Sequence, residues 1–153
     1  MNAVFGTNLG LSLQSRRNRF ETDSREVGFM TLLFYPGTRK QTGERVYKII
    51  EGTVGKERVE ICKTIESLST RLRQFHNNLS VAILLAATRK ELVDVLLIRD
   101  LLDDIPLILI LPGRDKETIS HGSRLHPRFM SFVDSDFLDV QAVLEKMMKR
   151  FHY

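Results

Sequence analysis

From Met30 onward the chain alternates between short apolar runs and longer amphipathic segments. MTLLFYPG, residues 30–37, is an apolar run closed by Pro36-Gly37 and predicts a strand. SVAILLAA (80–87) and PLILILPG (106–113) are apolar through their whole middles. That is the pattern of strands buried on both faces. RVEICK (58–63) alternates, with Val59 and Ile61 facing in and Glu60 and Cys62 on the other face, and predicts a short edge strand. RFMSFVD (128–134) predicts a fifth strand.

The segments between them carry helical spacing. QTGERVYKIIEGTVG (41–55) puts Val46, Ile49 and Ile50 on one face, with Thr42 placed to cap it and Gly52 and Gly55 to end it. TIESLSTRLRQFHNN (64–78) spaces Ile65, Leu68, Leu72 and Phe75 helically and stops at Asn77-Asn78. RKELVDVLLIRDLLDD (89–104) predicts one helix with a wide apolar face, including Leu92, Val95, Leu96 and Leu102. DKETISHGSRLHP (115–127) predicts a poorer helix, broken near Gly122 and ended by Pro127. SDFLDVQAVLEKMMKRFHY (135–153) opens on a Ser/Asp cap, then places Val140, Val143, Leu144, Met147 and Phe151 at helical spacing.

The sum is a β-α unit repeated five times in residues 30–153. Such alternation means a parallel sheet with helices on both faces, an α/β three-layer sandwich. Right-handed crossovers leave few topologies. Five strands in this length favour the order 2-1-3-4-5, the flavodoxin-like arrangement. Residues 1–29 show no sustained period, and glycine and asparagine interrupt every candidate element there. They predict a flexible N-terminal extension.

Composition narrows the function classes. The chain has 153 residues, a net charge of +4, one cysteine and no tryptophan. No apolar run approaches the ~18 residues that span a bilayer, so no membrane association is expected. A single thiol builds no disulfide framework and no cysteine-rich metal site, which points to a cytoplasmic protein. The cations are spread along the chain and mixed with acids, which argues against a nucleic-acid partner.

In doubly wound sheets, ligands bind beyond the carboxyl ends of the strands, beside the switch between strands 1 and 3. Here the tips read Tyr35-Pro36-Gly37-Thr38, Ala86-Ala87-Thr88, Leu111-Pro112-Gly113 and Val133-Asp134-Ser135-Asp136. The order of elements over 30–152, the spacing from the end of strand 4 to the end of strand 5, and Phe137 after Ser135-Asp136 resemble the receiver domain of response regulators. The resemblance implies a bacterial, two-component signalling context. In that family paired acids after strand 1 hold magnesium, an aspartate ending strand 3 takes the phosphoryl group, strand 4 ends in Ser or Thr, and strand 5 ends in lysine. At those positions this chain has Tyr35-Pro36, Ala86 or Ala87, Leu111 or Pro112, and Asp134 or Ser135. Phosphoryl transfer needs a nucleophilic carboxylate and a cation for the developing charge. The resemblance is therefore to a degenerate receiver, a pseudo-receiver. It implies a non-catalytic signalling module, with no cofactor and no metal, that binds another signalling protein or itself. In receivers the last helices and strand 5 commonly form the dimer and partner surface, which here implicates Met147, Met148 and Phe151.

A second function class rests on GTRKQTGER, residues 37–45. It has glycines, hydroxyls and cations ahead of a helix N-terminus, where anions are favoured. Its spacing fits neither a Walker loop nor a dinucleotide fingerprint. It predicts a phosphate or nucleotide site built from Thr38, Arg39, Lys40 and Thr42 in the loop Gly37–Thr42, with Thr88 and Arg89 alongside. The remaining signals are ordinary. His121 and His126 lack a third ligand for zinc. His76 and His152 fall at helix ends, where a cation suits the dipole. No nucleophile elbow surrounds Ser120 or Ser123. Cys62, with one lysine beside it, reads as an inert thiol.

Overall fold

The computed structural model describes residues 31–74 and 78–150. Five strands form one parallel sheet: β1 (Leu32–Tyr35), β2 (Val59–Ile61), β3 (Val81–Leu85), β4 (Leu107–Leu111) and β5 (Phe129–Phe132). Their order is β2-β1-β3-β4-β5, the flavodoxin-like arrangement. The helices are α1 (Lys40–Val54), α2 (Ile65–Leu72), α3 (Arg89–Leu96), α4 (Lys116–Ser123) and α5 (Leu138–Lys149). Among the described residues no helix is long and apolar enough to cross a membrane. The segment 1–29, expected to be a flexible extension, lies outside the described residues.

The period-2 geometry of strands sorts the apolar runs into two cores. Leu33, Ala82, Leu84, Leu107 and Leu109 pack on one face with Leu68 and Leu72 of α2 and Leu92 and Val95 of α3. The alternate residues Phe34, Ile83 and Ile110 point the other way and are 0–1% exposed. On that second face Phe34 stacks with Tyr47 of α1, and Ser131 of β5 hydrogen-bonds Asp139 of α5. Burial on both faces explains why β3 and β4 read as unbroken apolar runs. β2 is a half-exposed edge strand of three residues, and its expected inward face is corrected: Ile61 is 45% exposed while Cys62, just past the strand, is buried in the core.

Three local expectations are corrected by packing. Thr42 does not cap α1. The helix starts at Lys40 with Arg39 as N-cap and no side-chain cap. Its first turn leans on the preceding loop, since a Cβ on Gly43 would come within 3.2 Å of Pro36. The single helix expected over 89–104 is two pieces, α3 followed by a 3-10 turn at Arg99–Leu102. The tighter turn lets Leu102 and Ile105 reach the core while Leu97 stays 79% exposed. Helix α4 stops at Ser123, one residue past Gly122 where a break was expected, and does not run on to Pro127. A Cβ on Gly122 would come 2.8 Å from Leu111 Cδ2, so glycine permits the helix to sit close on β4.

Candidate functional site

The switch between β1 and β3 is the first place to look for chemistry. After Tyr35 the chain turns through Pro36 into Gly37, which has φ +69°. A side chain there would put Cβ 2.5 Å from the Leu85 carbonyl oxygen. Only glycine allows the loop to lie this close to the tip of β3.

A carboxylate does stand at this edge, though no strand supplies it. Glu91, in the first turn of α3, is 6% exposed. Its Oε1 accepts the Ala87 N–H at 2.7 Å, while Oε2 is buried and has no hydrogen-bond partner. Thr88 caps the same helix by accepting the Glu91 N–H at 3.2 Å. Nearby, burial pushes the Tyr35 phenol up to about 12, with the charges of Glu91, Asp94 and Glu66 adding to the shift. Sequence reasoning overlooked Glu91 because it searched the strand tips. Its signal was Thr88-x-x-Glu91, a capping-box spacing. The glutamate reaches one residue further back than that motif requires.

The other strand tips are satisfied from within. Arg114, after β4, pairs with Asp134 after β5 at 2.9 Å, and its guanidinium lies 4.2 Å from the centre of the Phe132 ring. That contact holds the Asp134 carboxyl below its ordinary range. Ser131 and Ser135 both donate to Asp139, Ser135 accepts the Phe137 N–H, and Asp136 accepts the Leu138 N–H. The Ser/Asp cap expected before α5 is thus a linked set of side-chain bonds. Phe137 is fully buried at φ +64°, beneath the Arg45 guanidinium at 4.9 Å.

On the side of the loop toward the edge strand β2 lies a cleft of about 390 Å³. Its walls are Phe34, Pro36, Tyr47 and Ile61, with the backbone of Gly37 and Gly43. Thr38, Arg39, Lys40, Lys63 and Glu44 supply its polar groups. The Phe34 and Tyr47 rings are 6.5 Å apart and inclined by 24°.

Of the residues singled out in sequence, Thr38, Arg39 and Lys40 meet in this cleft, and Thr42, Thr88 and Arg89 are not among its lining residues. Thr88 is engaged as the α3 cap, and Arg89 pairs with Asp115 at 2.6 Å and Glu117 at 3.1 Å. Tyr47, Ile61 and Lys63 were missed, since β2 and α1 meet only through the fold. Met147, expected on a partner surface, is a core residue at 7% exposure. Helical spacing puts it on the same face as Val140 and Leu144, which face the sheet. Met148 is half-buried, and Phe151 lies outside the described residues, as do His76 and His152. Cys62 is buried, and burial raises its thiol above the ordinary range against a lowering bond from Ser67. Among the described residues no group of three or more His, Cys, Asp or Glu is placed to hold a metal.

No family model matches the chain, and no curated protein matches it in sequence. Among solved structures it is similar to a "putative pilus assembly-related protein" from Burkholderia pseudomallei, with a TM-score of 0.61 and 11% identity over 83% of this chain and 95% of that one. At that identity the likeness is one of fold.

Proposed function

We propose that this protein is a non-catalytic signalling module, a bacterial cytoplasmic pseudo-receiver that works by binding another protein or a second copy of itself. The observation that carries this reading is the filled crevice between β1 and β3. Gly37 backs onto the Leu85 carbonyl, and Glu91, 6% exposed, gives one carboxylate oxygen to the Ala87 N–H. Phosphoryl transfer needs an accessible acceptor carboxylate, further acids for magnesium, and a cation for the leaving charge. Where a receiver has its lysine, this chain has Asp134 paired to Arg114 and Ser135 bonded to Asp139. With no transfer chemistry at the strand tips, the working part of such a module is its surface. Exposed apolar groups are available on α3 at Val93 and just past its end at Leu97.

The test is incubation of the full chain with acetyl phosphate and magnesium, read by intact mass. The expected mass is unchanged. A stoichiometric phosphoryl adduct would overturn the proposal. The cleft favours a second reading, binding of a small ligand beside the loop Gly37–Thr42. The two are compatible, because the cleft opens toward β2 and the filled crevice lies toward β3.

A further inference from the structure

The geometry points to a nucleoside phosphate as the occupant of the cleft between the β1–α1 loop and β2. This deepens the ligand-binding reading of that loop, and it rests on that reading alone. A space of about 390 Å³ falls in the range of small-molecule sites, which are mostly apolar with a few converging polar groups. Here the two kinds of surface are segregated. One part is aromatic and aliphatic, made by Tyr47, stacked on the buried Phe34, and by Ile61, a large apolar side chain left 45% exposed on the edge strand. A flat ring gains from covering such a surface, by apolar burial and by stacking.

The other part is cationic. Arg39 and Lys40 come from the loop and the start of α1, and Lys63 comes from the end of β2. Their charge is uncommitted: none of the three makes an ion pair among the described residues, whereas Arg71, Arg89, Lys90 and Arg114 each do. Cations from separate elements that converge on one cleft and lack acidic partners suit a phosphate group. The first turn of α1 adds to the same field, since it has neither an acidic residue nor a side-chain cap.

Glu44 sharpens the ligand class. Among the described residues it is the one acid lining the cleft, and it forms no ion pair with Lys40 one turn before it. A carboxylate there repels a bare polyanion but accepts from hydroxyl or amino groups. A nucleoside phosphate combines all three requirements: a phosphate for the cations, a ring for Tyr47 and Ile61, and donors on sugar and base for Glu44.

Calorimetric titration of the full chain with adenosine, guanosine, cytidine and uridine monophosphates tests this, with inorganic phosphate and the free nucleosides as fragments. At least one nucleotide should bind with Kd below about 1 mM and at least about tenfold tighter than either of its fragments. Lys63→Glu and Arg39→Glu, both at exposed positions, should each weaken that binding at least about tenfold without changing the melting temperature, while Lys146→Glu on α5 leaves it intact. Phosphate binding as tightly as every nucleotide would overturn the nucleotide class while leaving a small-anion site in place. No binding of any of these probes at several millimolar, or equal binding in all three variants, would overturn both.

Discussion

Glu91 offers the sharpest check on the physical account of the strand tips. The side chain is 6% exposed and places one oxygen 2.7 Å from the Ala87 N–H while the other has no partner. Glu91→Ala removes the acceptor from a backbone N–H whose residue is itself 2% exposed. An orphaned buried donor costs about 1–3 kcal/mol. The buried Cγ methylene, worth ~0.8 kcal/mol, is lost as well. Glu91→Gln keeps the acceptor and both methylenes. It also exchanges the unpartnered oxygen for an unpartnered amide NH2, so one unsatisfied buried group replaces another. The glutamine variant should therefore melt close to the parent. The alanine variant should lie about 3 kcal/mol below the glutamine one. For a domain of this length that is roughly 10 °C in melting temperature.

Circular dichroism melts at neutral pH measure the difference, and hydrogen exchange at the Ala87 amide locates it. Exchange should quicken in the alanine variant and stay slow in the glutamine one. Should the two variants melt together within ~2 °C, the bond to Ala87 does not hold the tip of β3.

Gly37→Ala combines a left-handed backbone with a Cβ 2.5 Å from the Leu85 carbonyl oxygen. It should destabilise by at least ~2 kcal/mol in a denaturant titration, and a loss under ~0.5 kcal/mol would mean the loop does not rest on β3. Asp115 accepts from the Thr118 hydroxyl at 2.8 Å, from the Thr118 N–H at 3.2 Å and from Arg89, and these bonds, the hydroxyl first, lower its pKa to about 2. A carboxyl depressed on folding stabilises above its unfolded pKa of ~3.9 and loses that stabilisation as pH falls toward 2. Asp115→Asn should thus be less stable at neutral pH, and its difference from the parent should shrink between pH 4 and pH 2. Parallel melting curves across that window would contradict the assignment.

The architecture was legible because it depends on patterns that repeat along the chain. Runs such as Val81–Leu85 and Leu107–Leu111, apolar at every position, have no stable home except a strand covered on both faces. The boundaries that failed were those set by neighbours distant in sequence. Gly122 reads only as a breaker until Leu111 is known to lie beneath it, and Met147 reads as surface only while α5 has no sheet behind it. The candidate site was half legible for the same reason. Thr38, Arg39 and Lys40 are contiguous and visible as a cationic loop. Lys63 and Ile61 reach them only because β2 pairs with β1, with Phe34 opposite Ile61. Arg89 looked equivalent to Arg39, but the β4–α4 loop supplies it with Asp115 and Glu117, an ion pair that no local pattern announces.

The filled crevice and the open cleft follow from one loop. Four residues, Pro36 to Arg39, connect β1 to α1. With φ +69° at Gly37 the loop lies against the tip of β3, and Glu91 ties that tip from below. A loop displaced toward β3 leaves room on its opposite side, where β2 is only three residues long and ends with Ile61 half out of water. The electrostatics change with the position. A receiver concentrates acids at the sheet edge and so recruits a metal cation. Here the acids at the edge are bound up with Ala87, Arg89, Arg114 and backbone donors, while Arg39, Lys40 and Lys63 line the cleft and make no ion pair among the described residues. A field of this sign favours an anion over a metal cation, and on the proposed reading a ligand bound there would pull on the loop that lies against β3 beside it.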